Sequence, residues 1–229
     1  MAHVEANAGI AIDCYSDVLC VWAYVAQIRL DELNERMGGQ VCVHQHYINL
    51  FGSTAHRIGE GWSERGGFAA FSDHVVEVCA GFPYLEVNHE IWRSCRPLGS
   101  GNAHLVLKAV QVLEQAGRAP VGAAEAFAWQ IRLAFFRDAR DIGDWRVLLE
   151  LAEANDLERE ALELQFHNGA AMAALLRDQE LRDQHDIAGS PTYVLNGGRQ
   201  KLFGNVGYRV IEANVKELLE HPGDQASWC

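Results

Sequence analysis

The chain has 229 residues, which is enough for one large domain or for two lobes that share a core. Acidic residues outnumber basic residues by 31 to 19, so the formal net charge is −12. This balance argues against a nucleic-acid partner, because binding to a phosphate backbone depends on clustered Lys and Arg. No apolar run approaches the roughly 20 residues that cross a bilayer, so no membrane partner is expected.

The cysteine content and the N-terminus point to a reducing compartment. Six cysteines are too sparse in a chain of this length for a disulfide scaffold, and no two of them form a C-x-x-C pair. The first seven residues have neither a basic start nor an apolar stretch, so we expect no secretory signal. These features predict a cytoplasmic protein whose thiols are mostly reduced.

The N-terminal pattern predicts a β-α-β unit. Residues 9–15 are apolar and β-branched, which is typical of a buried strand, and helical periodicity follows from about 20 to 37. Gly38 and Gly39 end this predicted helix, and residues 41–48 alternate as a second strand. Strands joined by such a crossover are expected to be parallel.

The middle of the chain, from residue 66 to about 181, has only helical periodicity. The predicted helices lie near residues 68–79, 103–113 and 124–135, after a cap at Asp144, and in one long stretch over 158–182. Strand signals then return, and they predict strands at 191–196 and 200–203 around a glycine turn, followed by a closing helix at 208–220. This order predicts a small sheet with helices on both faces.

Cys20 is the residue whose position most suggests chemistry. It stands where the first predicted strand gives way to the first helix. Unpaired N–H groups and the helix dipole favour a thiolate at a helix N-terminus, and a cysteine there can have a pKa lowered by several units. The alternative interpretation is a small buried apolar residue, which free cysteines often are.

A second feature is Ser190-Pro191 at the entry of a late strand, where a trans proline is common and a cis proline would be specific. Taken together, SDVLCVWA at 16–23 and GSPTYVLNG at 189–197 resemble the DsbA family of thioredoxin-fold proteins. The similarity is greatest to the branch with FrnE-like proteins and 2-hydroxychromene-2-carboxylate isomerases. In that family the proline is cis and faces the active-site cysteine.

The resemblance implies an α/β, thioredoxin-like fold with an inserted all-helical lobe. The thioredoxin-like domain would take residues 1–50 and 185–229, and the inserted helical domain would take residues 51–184. By the same resemblance, a weaker S-x-x-A-H pattern at 100–104 puts His104 at the border of the active-site cleft, as a general base or polar wall. Trp22 and Trp62 would line the same cleft, and Ala23 is expected among its substrate- or glutathione-binding residues.

The chain departs from the family at Ala23, where redox members carry the second cysteine of C-x-x-C. A dithiol enzyme uses that cysteine to resolve a mixed disulfide, which alanine cannot do. The leading prediction is therefore a thiol-dependent oxidoreductase that uses Cys20 alone on a peptide or small-molecule thiol or disulfide. Glutathione would be its co-substrate, and no cofactor would be tightly bound. Cys14 and Cys229 are alternative resolving thiols.

Two other functions stay open at this stage. The first is a glutathione-dependent isomerase or transferase, similar to 2-hydroxychromene-2-carboxylate isomerases and to kappa-class glutathione transferases. The resemblance implies that it would hold glutathione beside Ser190 and Pro191 and near Asn205 and Val206. The second is a non-catalytic thioredoxin-fold binding module, in which Cys20 would be inert.

Two expectations concern metals and assembly. His44 and His46 lie on one face of the second predicted strand, as metal ligands can, but no third ligand accompanies them at metal spacing. No metal site is therefore expected. A homodimer is compatible with the sequence, since two-fold dimers are common among soluble proteins, although no interface signature is present.

Overall fold

The computed structural model describes residues 9–223, so Cys229 lies outside the described residues. One mixed sheet is formed by β1 (Ile10–Ser16), β2 (Val41–Tyr47), β3 (Thr192–Leu195) and β4 (Gln200–Phe203). The strand order is β2-β1-β3-β4. β1 and β2 are parallel, and β3 is antiparallel to both β1 and β4. These strands lie where the sequence pattern predicts them.

Helices flank the sheet and fill the segment between β2 and β3. α1 (Val21–Met37) joins β1 to β2, and α8 (Tyr208–Glu220) follows β4. The insertion holds α2 (Gly67–Ala80), α3 (Gly101–Gln115), α4 (Ala123–Phe136), α5 (Trp145–Glu153), α6 (Arg159–His167) and α7 (Ala170–Gln184). A π-helical segment, Ala55–Glu60, and a 3₁₀ turn, Ser63–Arg65, occupy the loop before α2. None of the described helices is long and apolar enough to span a membrane.

The prediction of a single long helix over residues 158–182 is wrong, because this segment forms two helices, α6 and α7. Gly169 separates the two helices with a φ of 79°, a left-handed conformation that glycine adopts without side-chain strain. The Asn168 side chain then accepts a hydrogen bond from the N–H of Ala170 at 2.9 Å. The cap predicted at Asp144 is confirmed at the start of α5, because the Asp144 side chain accepts a hydrogen bond from the N–H of Arg146.

The two faces of the sheet are covered by different elements, because side chains alternate along β1. Ile12 and Cys14 pack in the cluster formed with α1 and α8, whereas Tyr15 packs on the opposite face with Val194. A larger cluster fills the helical insertion and includes residues 18–25 at the start of α1. The predicted α/β fold with a helical insertion is confirmed, while its division at residues 50 and 185 stays a prediction.

A buried ion cluster joins the sheet to the insertion. The Asp178 carboxylate on α7 accepts hydrogen bonds from the Lys108 ammonium on α3 at 3.0 Å and from the N–H of Tyr47 at 2.8 Å. The His46 ring lies between Asp178 and Asp13, at 2.9 and 2.8 Å from their oxygens. His46 thus takes part in a structural cluster. No group of three or more His, Cys, Asp or Glu could hold a metal within the described part of the chain.

Asp178→Asn is predicted to lower the free energy of unfolding by about 3–5 kcal/mol, because it leaves the buried Lys108 ammonium without a carboxylate. Urea unfolding followed by circular dichroism measures the loss. Asp183→Asn makes the same change on an exposed carboxylate of α7 and should cost under about 0.5 kcal/mol. Equal stabilities of the two variants would contradict the role of the cluster.

Candidate active site

Cys20 ends the turn of residues 17–20 between β1 and α1, here called the cysteine turn. Its backbone is extended, with φ −80° and ψ 116°, and its carbonyl accepts hydrogen bonds from the N–H groups of Ala23 and Tyr24 at 3.1 Å. Cys20 is therefore the N-cap residue of α1, as its place in the sequence predicts. Only 4% of the residue is exposed, which places the thiol at the edge of the core.

The segment before β3 contacts the cysteine turn directly. The Cys20 thiol donates a hydrogen bond to the carbonyl oxygen of Ser190 at 3.2 Å, and the Ser190 hydroxyl accepts one from the N–H of Asp17 at 3.0 Å. The peptide bond between Ser190 and Pro191 is cis, as the resemblance implied. The fold thus brings together two sequence features that lie 170 residues apart.

The buried carboxylate of Asp17 holds the cysteine turn in place. One of its oxygens accepts from the N–H of Leu19 at 2.9 Å. The other accepts from the N–H of Phe51 and from the Ser100 hydroxyl, both at 2.8 Å. The donors come from the turn, from the loop after β2 and from the start of α3. A single carboxylate therefore joins three segments around Cys20.

His104 lies behind the cysteine turn. Its Nε2 accepts a hydrogen bond from the N–H of Val18 at 3.2 Å, and its ring stacks on Tyr47 with 5.3 Å between the ring centroids. Burial lowers the pKa of His104, which fits a neutral imidazole that accepts a hydrogen bond. His104 does not line the cleft beside Cys20. The expectation that it borders the cleft is therefore corrected: it supports the turn from behind.

A cleft of about 500 Å³ opens beside Cys20. Its walls are mainly apolar and aromatic, and they include Trp22, Leu50, Phe51, Trp62, Phe71 and Phe203. Its polar lining includes Ser190, His74 and Arg57, a residue that sequence reasoning missed. The volume is that of a typical small-molecule site. Both tryptophans that were expected to line a cleft do so.

Four other residues of the expected substrate- or glutathione-binding set, Ala23, Pro191, Asn205 and Val206, do not line this cleft. Ala23 is buried. Together with Cys14 and Pro191 it lines a separate space of about 10 Å³. Asn205 is exposed, and Val206 packs against the core beneath α8. Neither of the last two lines the cleft. The glutathione contact expected at the start of the last helix is therefore not part of the cleft beside Cys20.

The thiol of Cys20 has a raised pKa, which is opposite to the lowering expected at a helix N-terminus. Burial is the main cause. Hydrogen bonds from the Ser190 side chain and from the backbone of Ala23 and Trp22 act in the opposite direction without reversing the shift. Groups that stabilise a thiolate therefore contact the sulfur, but desolvation, together with the negative charge of Asp17, outweighs them.

Cys14 is poorly placed to resolve a disulfide on Cys20. Its side chain belongs to the cluster between the sheet, α1 and α8, whereas Cys20 belongs to the cluster of the helical insertion. Both thiols are free. Burial raises the pKa of Cys14 to about 12, so its thiolate is scarce at neutral pH.

A mixed sheet with a cysteine at the start of its first helix and a cis proline facing that cysteine defines a thioredoxin-like protein. Residues 11–216 match the DSBA-like thioredoxin domain, and the chain therefore belongs to this family. No curated protein sequence matches the chain significantly.

Solved structures share the fold at low sequence identity. The cytosolic disulfide reductase DsbM from Pseudomonas aeruginosa is 20% identical, with a TM-score of 0.66 over 90% of this chain and 98% of DsbM. A candidate protein disulfide isomerase from Nitrosomonas europaea is 14% identical, with a TM-score of 0.75 over 94% and 100% of the two chains. A 2-hydroxychromene-2-carboxylate isomerase is 16% identical, with a TM-score of 0.60 over 95% and 100%.

Alkylation of Cys20 is predicted to be slow at neutral pH and to accelerate through the alkaline range, because the raised pKa keeps the reactive thiolate scarce. Mass spectrometry of the Cys20 peptide after iodoacetamide treatment, between about pH 6 and 10, measures the rate. A short cysteine peptide with blocked ends, with an ordinary thiol pKa of about 8.5, is the reference and should level off first. A Cys20 profile that levels off at a lower pH than the reference would contradict the raised pKa.

Asp17→Asn is predicted to lower the free energy of unfolding by about 2–4 kcal/mol, because the amide replaces one acceptor oxygen by a donor that faces other donors. Alkylation of Cys20 at neutral pH should become faster, since the turn loosens and the thiol becomes more accessible. Asp31→Asn, on the exposed side of α1, is the control. The role of Asp17 is refuted if both variants match the parent protein in stability and in alkylation rate.

Proposed function

We propose that this protein is a thiol-disulfide oxidoreductase that uses the single cysteine of its cleft, Cys20, and draws on glutathione as the second thiol. The observation that carries the proposal is the position of Cys20. It is the only described cysteine that lines the cleft, and its sulfur contacts the carbonyl of Ser190 beside the cis proline. The protein would act in the cytoplasm on small-molecule or peptide disulfides.

The proposed reaction has two exchange steps. The Cys20 thiolate attacks one sulfur of the substrate disulfide, an S–S bond forms between Cys20 and that half, and the other half leaves as a thiolate. The thiolate of glutathione then attacks the substrate sulfur of the mixed disulfide. Cys20 leaves as a thiolate, and a glutathione–substrate disulfide is released. The substrate disulfide is thereby converted into a free thiol and a glutathione mixed disulfide, and no second protein cysteine takes part.

The residues around the sulfur have separate roles in this reaction. The Ser190 carbonyl accepts the hydrogen bond of the protonated thiol. The Ser190 side chain and the backbone of Trp22 and Ala23 favour the thiolate, because each of them lowers the pKa of Cys20. Asp17 is a positioning residue, since its carboxylate holds the turn and makes no contact with the cleft.

Several observations support the link to glutathione and the cytoplasm. Ala23 stands in the first turn of α1 where a resolving cysteine would be, so an external thiol can take that role. DsbM, which shares the fold, is described as a cytosolic disulfide reductase and has also been solved with glutathione. The five described cysteines are all free, as is usual in a reducing compartment.

Intact-protein mass spectrometry after incubation with oxidised glutathione tests the proposal. We predict one adduct on Cys20, which reduced glutathione removes and which the Cys20→Ser variant lacks. Cys42→Ser removes an exposed thiol outside the cleft and should keep the adduct. A protein that forms no adduct, or forms one only on Cys42, would refute the single-cysteine mechanism.

A glutathione-dependent isomerase or transferase is the second candidate. The aromatic lining of the cleft favours it, because such walls suit an apolar ring, and a 2-hydroxychromene-2-carboxylate isomerase shares the fold. Glutathione would then be held without forming a bond to Cys20. Tight glutathione binding by Cys20→Ser in calorimetry, with activity retained, would distinguish this candidate from the oxidoreductase.

A further inference from the structure

Arg57 is the only lysine, arginine, aspartate or glutamate that lines the cleft within the described residues. It comes from the π-helical segment Ala55–Glu60, which interrupts the loop after β2. Its guanidinium lies over the ring of Phe51, 5.4 Å from the ring centroid. The cleft therefore combines apolar rings with one cation at its wall.

Two acidic groups on the elements that line the cleft are engaged by other bases. Glu60, on the same segment, pairs with His56 at 2.9 Å. Asp73, on the helix that supplies the other wall, pairs with Arg93 at 2.5 Å. Arg57 itself has no ion pair with any described carboxylate, so its guanidinium is available to an anion that enters the cleft.

We propose that Arg57 selects the substrate, and that the cleft takes a small disulfide or thiol whose carboxylate stands beside an aromatic ring. This inference rests on the function proposed above. Trp62 and Phe71, in edge-to-face contact at 4.9 Å, provide apolar wall for the ring, and the guanidinium can hold a carboxylate through two N–H groups. The net charge of −12 makes a local cation more significant, since the protein otherwise repels anions.

Two aromatic disulfides of similar size distinguish the effect of the substrate's charge from the effect of its ring. Dithiobis(nitrobenzoate) has a carboxylate on each ring, whereas dithiodipyridine is neutral. In both cases the Cys20 thiolate attacks one sulfur, an S–S bond to Cys20 forms, and the other ring leaves as a coloured thiolate or thione. The two rate constants are therefore measured by the same optical method.

The experiment compares the two rate constants in Arg57→Gln and in the parent protein, both carrying Cys42→Ser so that an exposed thiol does not contribute. Arg57→Gln should lower the rate constant for dithiobis(nitrobenzoate) by about five- to tenfold. The rate constant for dithiodipyridine should stay within about twofold of the parent value. Arg118→Gln is the matched control for net charge. Arg118 is exposed and does not line the cleft, so both rate constants should stay unchanged.

Equal slowing of both reagents by Arg57→Gln, or no slowing of either, would overturn the role of Arg57. The same slowing of the reaction with dithiobis(nitrobenzoate) by Arg118→Gln would also overturn it, because net charge rather than position would then set the rate. Failure of the proposed function gives a different result: Cys20→Ser would react with both reagents as fast as the parent protein. That comparison does not involve Arg57, so the two failures are distinguishable.

Discussion

The buried carboxylate of Asp17 is the constraint on which the arrangement around Cys20 depends. Its three hydrogen bonds come from the cysteine turn, from the loop that carries Phe51 and from Ser100 at the start of α3. A buried carboxylate that lost these donors would be costly, so the three segments pack in one relative position. The sheet and the helical insertion consequently meet at the sulfur of Cys20.

The same packing explains the chemistry of the thiol. Contact with Ser190 and enclosure by the helical insertion put the Cys20 sulfur beside groups that favour a thiolate, but they also remove it from water. Burial outweighs those groups, and the pKa is raised. The raised pKa keeps the thiolate scarce at neutral pH, so the sulfur is expected to react slowly with reagents from the solvent. In the proposed function, selection of the substrate would depend on the cleft walls, where Arg57 lies among apolar rings.

Elements with their own periodicity could be predicted from the sequence, and contacts between distant segments largely could not. The strands and the N-cap position of Cys20 are local features, whereas the break at Gly169 was missed because helical periodicity continues on both sides. The contact with Ser190 was expected only through the family resemblance. The pKa of Cys20 was predicted in the wrong direction, because burial depends on tertiary packing. Arg57 lies in a segment without periodicity, so no pattern singled it out.

A crystal structure of the protein treated with oxidised glutathione tests most directly whether Cys20 exchanges disulfides inside this cleft. We predict continuous electron density from the Cys20 sulfur into the cleft, with the glutathione backbone beside Ser190 and the cysteine turn still attached to Asp17. A free Cys20 sulfur, with the cleft empty and glutathione attached to another cysteine, would contradict this account of the site.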